Sequence, residues 1–254
     1  IMSSLPVMGP ANMSPYMMQM MRMQGKQPDP PWAITRQLQM DYEVQSLQLD
    51  DPKVPDDIDF LMIIHPKNFE QKAIFAIDQY AMRGGKLMVF VDPHCLADRP
   101  KQDPRNPYAG MSHDASSDLN KLLVGWGAVI NSQNKKIAVD SALATKTGRP
   151  PQPFLPYLTL TDQCVNKSNT MVADLNGMRM LFAGAIGNHG GNAKFTPLIS
   201  TTKTGNVWRP KDATSLNMPD PRKIHAEVKD GTEAVTLACL LTGKLNSIFP
   251  NGID

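Results

Sequence analysis

The sequence contains no run of apolar residues that approaches the roughly 18 needed to cross a membrane. It also shows no signal peptide at its start. The chain opens at Ile1 with "IMSSLP", a pattern typical of the end of a strand. We therefore expect the chain to be a fragment, with any membrane anchor or export signal outside it.

The chain also lacks an excess of charge of one sign. It carries 26 basic and 24 acidic residues, and no stripe of lysine and arginine stands out. Proteins that bind nucleic acids concentrate positive charge on one surface, because they must neutralise phosphates. The sequence therefore argues against a nucleic-acid-binding protein.

Cysteine is scarce, with only Cys95, Cys164 and Cys239 in 254 residues. Their spacings are long and no C-x-x-C pair is present, so no zinc or redox motif is indicated. At most one disulfide is possible. Cys239 lies in the apolar stretch "AVTLACLLTG" and is predicted to be a buried core residue.

Residues 1–148 show an alternation of strand and helix patterns, in a chain that is 41% hydrophobic. Continuous apolar runs at 58–64 and in "KLMVFV" predict strands that are covered on both faces. The predicted order is β-α-β-α-β-α-β, which favours an open, doubly wound, mostly parallel sheet of the α/β class. The other predicted elements are helices at 32–41, at 69–83 and after Ser116 or Ser117, a short strand at 42–48, and a strand in "KKIAVDSALA".

Helix ends are predicted from local residues. Asn68 is expected to cap the helix at 69–83, with Gln71 as its capping-box partner, and Ser116 or Ser117 to cap the next helix. Gly84 and Gly85 end the helix at 69–83, because glycine adopts a left-handed cap at little cost. The sequence "RGGK" precedes a strand, whereas phosphate loops follow one, so the glycines indicate only a turn.

The last hundred residues, 149–254, are richer in strand patterns. "GMRMLFAGAI", "KFTPLISTT" and "AVTLACLLTG" predict strands, whereas "PPQPFLPYLTL" is interpreted as a connection broken by prolines. This part either extends the same sheet or packs beside it. We expect a single domain over residues 1–254.

A methionine-rich segment covers residues 8–30. Eight of the 17 methionines of the chain lie before residue 24, and Pro10 and Pro15 argue against a long helix. The segment is predicted to be a mobile loop with at most a short helical turn at 17–23. Three functions stay open: binding of Cu(I) by thioethers, an adaptable contact surface, and a flexible loop without a partner.

Cys95 follows a predicted buried strand, where several α/β enzymes carry a nucleophile. A nucleophile elbow needs small residues, usually glycine, two positions before and after the nucleophile, and here those positions hold Pro93 and Ala97. The adjacent His94 is poorly placed to act as the base. A metal site is the other chemical alternative for this loop, but the spacing of its candidate ligands matches no known pattern. These candidates are Asp92, His94, Cys95, His113 and Asp114.

The segment "DIDFLMIIHPKNFEQKAIFAIDQYAMRGGKLMVFVDP" at 57–93 resembles the core signature of the GldG-like family, auxiliary components of ABC-type transport systems linked to gliding motility. Weaker similarities follow in the family's order: "SSLPVMG", "PPWAITRQLQMDYEV", "SSDLNKLLVGWG", "FTPLISTT" and "LTGKLNSIFP".

The resemblance implies a class I glutamine-amidotransferase-like α/β fold, similar to the GIFT domain of an intraflagellar-transport subunit. It also implies a soluble domain on the periplasmic side of the inner membrane. Flanking membrane helices would hold that domain beside an ABC permease and its ATPase. Such domains are not known as enzymes, and the family has an Asp-Pro turn, here Asp92-Pro93, where a glutaminase carries its cysteine.

The favoured interpretation is thus a non-catalytic module that binds a small ligand, a glycan or a partner protein, with no cofactor and no metal. The alternatives are a hydrolase or amidotransferase that uses Cys95, and a purely structural scaffold. In open α/β sheets, ligands bind outside the carboxyl ends of the strands. The candidate ligand or partner crevice is therefore formed by Ser3, Ser4, His65, Asp92 and His94.

Overall fold

A computed structural model describes residues 1–9, 14–25, 29–100, 109–130 and 135–253. The chain divides into two compact units, the first formed by Ile1–Phe90 with Phe249–Asp254 and the second by Val91–Ile248. Among the described residues, no helix has both the length and the apolar character needed to cross a membrane. The single domain predicted over residues 1–254 stays a prediction. So does its predicted division into an α/β part before residue 149 and a strand-rich part after it.

The first unit is built on a small parallel sheet. Its elements are β1 (Met2–Ser3), α1 (Pro15–Met23), α2 (Ala33–Asp41), β2 (Leu61–Ile64), α3 (Gln71–Met82) and β3 (Leu87–Phe90). The strand order is β1-β2-β3, and both pairings are parallel. Helix α3 connects β2 to β3, so the predicted pair of adjacent parallel strands with a crossover helix is confirmed.

The core of the first unit follows from the apolar character of β2, in which all four residues are buried. Met62 and Ile64 pack with Val7 and Met8, and this cluster also includes Trp32 at the start of α2. Helix α3 buries a row of side chains at helical spacing, among them Ala73, Ile77, Tyr80 and Ala81.

Three details of the first unit differ from the predictions. Asn68 does not cap α3, because it has a φ of 55° and the helix begins after Glu70 without a side-chain cap. Residues 42–48 form no strand, although Gln45 and Leu47 exchange backbone hydrogen bonds with Ile1. Strand β3 is only half covered, since Met88 and Phe90 are exposed. Met88 and Phe90 are two residues apart and project from the same face of β3, so that face is the one left uncovered.

The methionine-rich segment contains more structure than a single turn. Helix α1 covers nine residues, and Ser14 caps it by accepting a hydrogen bond from the backbone nitrogen of Met17. Pro15 occupies the first turn, where a missing N–H is tolerated. The predicted mobility of residues 8–30 stays a prediction, and residues 10–13 and 26–28 lie outside the described residues.

Where it is described, the second unit consists of short antiparallel sheets with three α-helices. Its elements are α4 (Asn120–Trp126), β4 (Ala128–Val129), β5 (Ile137–Val139), β6 (Ala144–Thr147), β7 (Gln152–Thr161), β8 (Gly177–Leu181), β9 (Gly187–Asn188), β10 (Ala193–Ser200), β11 (Asn206–Trp208), α5 (Ala213–Asn217), α6 (Pro221–Glu227) and β12 (Thr236–Gly243). The pairings are β6-β7-β8, β10-β12, β5-β11 and β4-β9. Parallel pairing among the described residues is therefore confined to β1, β2 and β3.

The three strands predicted between residue 177 and residue 243 are confirmed as β8, β10 and β12. The strand predicted from "KKIAVDSALA" is β5, and it pairs antiparallel with β11. Cys239 is half-buried in β12 rather than fully buried. All three cysteines are free thiols.

The segment interpreted as a proline-broken connection is β7, the longest strand described. Pro153 pairs with Lys146 of β6, outside the part of β7 that pairs with β8. Pro156 lies in an irregularity where the register between β6 and β7 shifts. Proline has no backbone N–H to donate to a neighbouring strand, and neither of these positions requires that hydrogen bond. The prediction was wrong because these pairing positions cannot be read from the sequence.

Helix α4 buries Leu122, Leu123 and Trp126, and Leu119 just before the helix is buried as well. Its predicted cap was wrong, because the helix starts after Leu119 and has no side-chain cap. Ser117 instead bonds to the backbone of Asp92, so its hydroxyl is committed to a different turn. Gly127 ends the helix with a φ of 101°.

Candidate functional site

A side-chain hydrogen bond joins the carboxyl ends of β1 and β2, and a second one closes the turn after β1. The hydroxyl of Ser4 donates to the backbone oxygen of His65. The hydroxyl of Ser3 accepts from the backbone nitrogen of Leu5 at 3.0 Å. Both serines therefore stabilise the turns that leave the strands, which is a structural role typical of serine in loops.

His65 lies directly after β2 and is only 1% exposed. Its φ is 48°, a left-handed conformation that is uncommon for residues other than glycine. Its backbone nitrogen donates to the oxygen of Phe90 at 3.0 Å, which extends the β2-β3 pairing by one residue. The imidazole is thus shielded from solvent, and His65 shapes the end of the sheet.

Asp92 lies near the start of the second unit, two residues after β3. Ser117 brackets its backbone: the Ser117 hydroxyl accepts from the Asp92 nitrogen at 3.0 Å, and the Ser117 nitrogen donates to the Asp92 oxygen at 2.8 Å. The nitrogen of Cys95 donates to the oxygen of Ala115 at 2.7 Å. The Asp92–Cys95 turn is therefore held against residues 115–117.

His94 is buried in this turn and contacts Phe182 edge to face, with ring centroids 5.0 Å apart. Burial lowers the pKa of His94, because the charged imidazolium loses its hydration, and the nearby Lys135 ammonium lowers it further. Asp114 and Asp98 act in the opposite direction, but the pKa remains lowered. His94 is thus a neutral core residue at neutral pH.

Cys95 is buried as well. Burial raises the pKa of its thiol, because the thiolate would lose hydration, and the Asp92 carboxylate adds to the effect. A nucleophilic cysteine needs a lowered pKa instead. The environment of Cys95 therefore disfavours the chemistry that its position in the sequence suggested.

The loop that carries the alternative metal ligands is fixed by other contacts. The Lys135 ammonium lies 2.8 Å from Asp114. Burial raises the pKa of Asp114, but hydrogen bonds from Lys135 and Ser116 outweigh it and lower the pKa to about 2. The Nε2 of His113 lies 3.1 Å from an oxygen of Asp98, although the pair is poorly aligned for a hydrogen bond.

The amide of Asn217 adds a link that the sequence did not suggest. It donates to the backbone oxygens of Met111 at 2.9 Å and of His113 at 3.2 Å. His94 packs on Phe182, while His113 and Asp114 have separate charged neighbours. These three predicted ligands therefore have different immediate neighbours among the described residues.

Asp140 is a second residue that sequence reasoning missed. Its carboxylate is buried and accepts hydrogen bonds from the backbone nitrogens of Ala142 and Thr202 and from the Thr202 hydroxyl, at 2.7–2.9 Å. A small cavity of about 50 Å³ adjoins it. The available signal was an aspartate directly after the apolar stretch "IAV" and a threonine-rich turn "TTKTG". Because these donors satisfy the carboxylate, Asp140 acts as a structural clamp.

The first unit also has a cleft of about 270 Å³. Leu38, Tyr42 and Phe60 supply apolar surface, while Glu43 and Asp57 contribute carboxylates. Residues 57–60 immediately precede β2, so the cleft lies at the amino end of that strand. This is the end opposite to His65, and no motif in the sequence pointed to it.

A protein-family model matches residues 7–254. The matching family is described as an ABC-type uncharacterized transport system. No curated protein and no solved structure matches the chain.

Proposed function

Because this chain belongs to the family of ABC-type uncharacterized transport systems as an auxiliary component, we propose that it is a non-catalytic binding domain of such a system. It works on the periplasmic side of the membrane, beside an ABC permease and its ATPase, and binds a ligand or a partner protein. The observation that carries this proposal is the family match, which extends over nearly the whole chain.

Within this family, the segment at 57–93 supports a GldG-like member. The parallel β1-β2-β3 sheet with α3 as its crossover is consistent with the glutamine-amidotransferase-like fold that the resemblance implies. That fold and the link to gliding motility are parts of the proposal.

The proposal of a non-catalytic role is supported by the state of Cys95. Its thiol is buried, burial raises its pKa, and its turn is fixed by the bond to Ala115. The alternative of a cysteine-dependent hydrolase or amidotransferase would require an accessible thiolate.

We assign the binding of a ligand or a partner protein to the turn that starts at Asp92. His65 and His94 are buried, so their side chains shape the chain rather than contact a partner. Asp92 is half-buried and Ser117 holds its backbone, so the turn is fixed and the side chain keeps partial access to solvent. We assign recognition of a ligand or a partner protein to its carboxylate.

Asp92→Asn in the full-length protein tests this assignment. The substitution keeps the shape of the side chain and removes its charge, so we expect weaker co-purification with the permease and an unchanged fold. Asp59→Asn is the matched control, because Asp59 is exposed and precedes β2. Equal co-purification of both variants, or a loss only with Asp59→Asn, contradicts the assignment.

A further inference from the structure

Helix α1 exposes a continuous apolar surface. Five of its nine residues are methionine, and none of the nine is buried. Tyr16, Met17, Met20 and Met23 have exposed fractions between 40% and 78%. Tyr16, Met20 and Met23 are spaced i, i+4 and i+7, so they lie on one face of the helix. We call these three residues the α1 face.

Residues at the start of α1 favour its helical conformation independently of tertiary contacts. The Ser14 hydroxyl caps its first turn at 3.2 Å from the Met17 nitrogen, and Pro15 presets the backbone of that turn. An isolated helix of nine residues is nevertheless marginal in water, because nucleation costs more than so few hydrogen bonds return. The α1 face therefore lacks the packing that stabilises most helices of this length.

The charge of the segment restricts what covers the face. In the methionine-rich segment at 8–30, the basic residues Arg22 and Lys26 outnumber the single acidic residue, Asp29. Such a segment is repelled by a basic partner and attracted by an acidic one. Methionine is flexible and polarisable, so it adapts to apolar grooves of irregular shape.

We propose that α1 is a docking helix, which inserts Tyr16, Met20 and Met23 into an apolar groove with an acidic rim on a protein of the transport system. Anchors at i, i+4 and i+7 are the usual pattern by which an amphipathic helix fills a groove on a protein. The inference rests on the proposed function, since that function supplies the partner.

A lipid surface fits the segment less well. Helices that lie on membranes carry several lysines or arginines on the polar face and Trp, Phe or Leu on the apolar face. Helix α1 has a single basic residue, Arg22, and its apolar residues are methionines and one tyrosine. The observations thus favour a protein groove.

The test uses the full-length protein, co-expressed with the permease and ATPase of its transport system. The variant Met20→Gln/Met23→Gln removes two anchors and keeps side-chain length. The matched control is Met171→Gln/Met218→Gln, because both of these methionines are 63% exposed and lie in the second unit. Affinity for the detergent-solubilised permease complex is measured for each protein, together with the melting temperature of the soluble chain.

We expect the α1 variant to bind the complex at least about tenfold more weakly, because a few buried anchors carry most of the binding energy and a buried glutamine amide loses its hydration. The control should change affinity less than about twofold. Arg22→Glu should also weaken binding, and the loss should shrink at high salt, where the acidic rim is screened. Melting temperatures should agree within about 2 °C, because the substituted side chains are exposed.

Three outcomes overturn the inference. The first is that the wild-type protein binds the complex and the α1 variant binds equally well, which leaves the proposed function intact. The second is that the wild-type chain, but not the α1 variant, floats with vesicles of phosphatidylethanolamine and phosphatidylglycerol, which assigns α1 to lipid. The third is self-association that the α1 variant abolishes. If the wild-type protein does not bind the permease complex at all, the proposed function is refuted as well. The complex then has no groove that binds α1.

Discussion

At the residue scale, burial determines the chemistry of the Cys95 thiol. Its raised pKa leaves less thiolate at neutral pH, and the thiolate is the form that reacts. In a Cys164→Ala/Cys239→Ala background, we expect Cys95 in the native protein to react with a mild disulfide reagent at pH 7.5 at least about tenfold more slowly than in urea. Stopped-flow absorbance measures both rates. A native thiol that reacts faster than the unfolded one would restore the enzyme hypothesis.

His94 predicts a dependence of stability on pH. Its pKa in the folded state lies below the unfolded value of about 6.5. As the pH falls below 6.5, the unfolded chain therefore binds the proton first, and the free energy of unfolding decreases.

Urea unfolding at pH 7.5 and at pH 5.5 measures this effect for the wild type and for His94→Gln. We expect the wild type to lose stability at the lower pH, by no more than about 1.4 kcal/mol per pH unit from this one proton. The variant should lose less over the same interval. A wild type and a variant with identical pH dependence would show that His94 does not titrate with folding.

At the element scale, the end of α3 depends on two glycines with different physical roles. Gly84 has a φ of 87° and has open space around it, so it supplies the left-handed cap. Gly85 is limited by space, because a Cβ there would lie 2.4 Å from ring carbons of the buried Tyr80.

We therefore expect Gly85→Ala to lower the free energy of unfolding by about 1–3 kcal/mol through overpacking. Gly84→Ala should cost about 1 kcal/mol through backbone strain alone. Urea denaturation of both variants measures the difference, and Gly25→Ala serves as a control in open space with a positive φ. If Gly85→Ala left the free energy of unfolding unchanged, the ring of Tyr80 would have to move aside without cost.

Helices and strands with strong periodicity could be predicted from sequence. The apolar run at 58–64 and the inward face of α3 specify β2, its neighbour β3 and the crossover, because few other arrangements bury them. Features that depend on distant partners could not be predicted. Strand β7 accommodates Pro153 and Pro156 because of where they lie in its pairing with β6. Ser117 was predicted to cap a helix, but its hydroxyl instead accepts a hydrogen bond from the backbone of Asp92.

At the scale of the whole molecule, the same limit applies to the candidate site. The sequence predicted that Ser3, Ser4 and His65 lie at the carboxyl ends of strands, because strand ends are visible in the apolar pattern. Ser3 is the last residue of β1, and Ser4 and His65 directly follow β1 and β2. It did not predict that His65 and His94 are buried, or that Asp140 is clamped by Thr202, since burial depends on residues far apart in the chain. Binding at this site stays a prediction, and our proposal assigns the contact to Asp92.

The proposed role, a non-catalytic auxiliary component of an ABC transport system, is best tested by purification of the full-length protein together with its permease and ATPase. A wild-type chain and a Cys95→Ser variant are compared for complex formation and for transport in cells. We expect both proteins to co-purify with the permease and to support transport equally. A chain that purifies alone, or a Cys95→Ser variant that forms the complex but abolishes transport, would refute the proposed role.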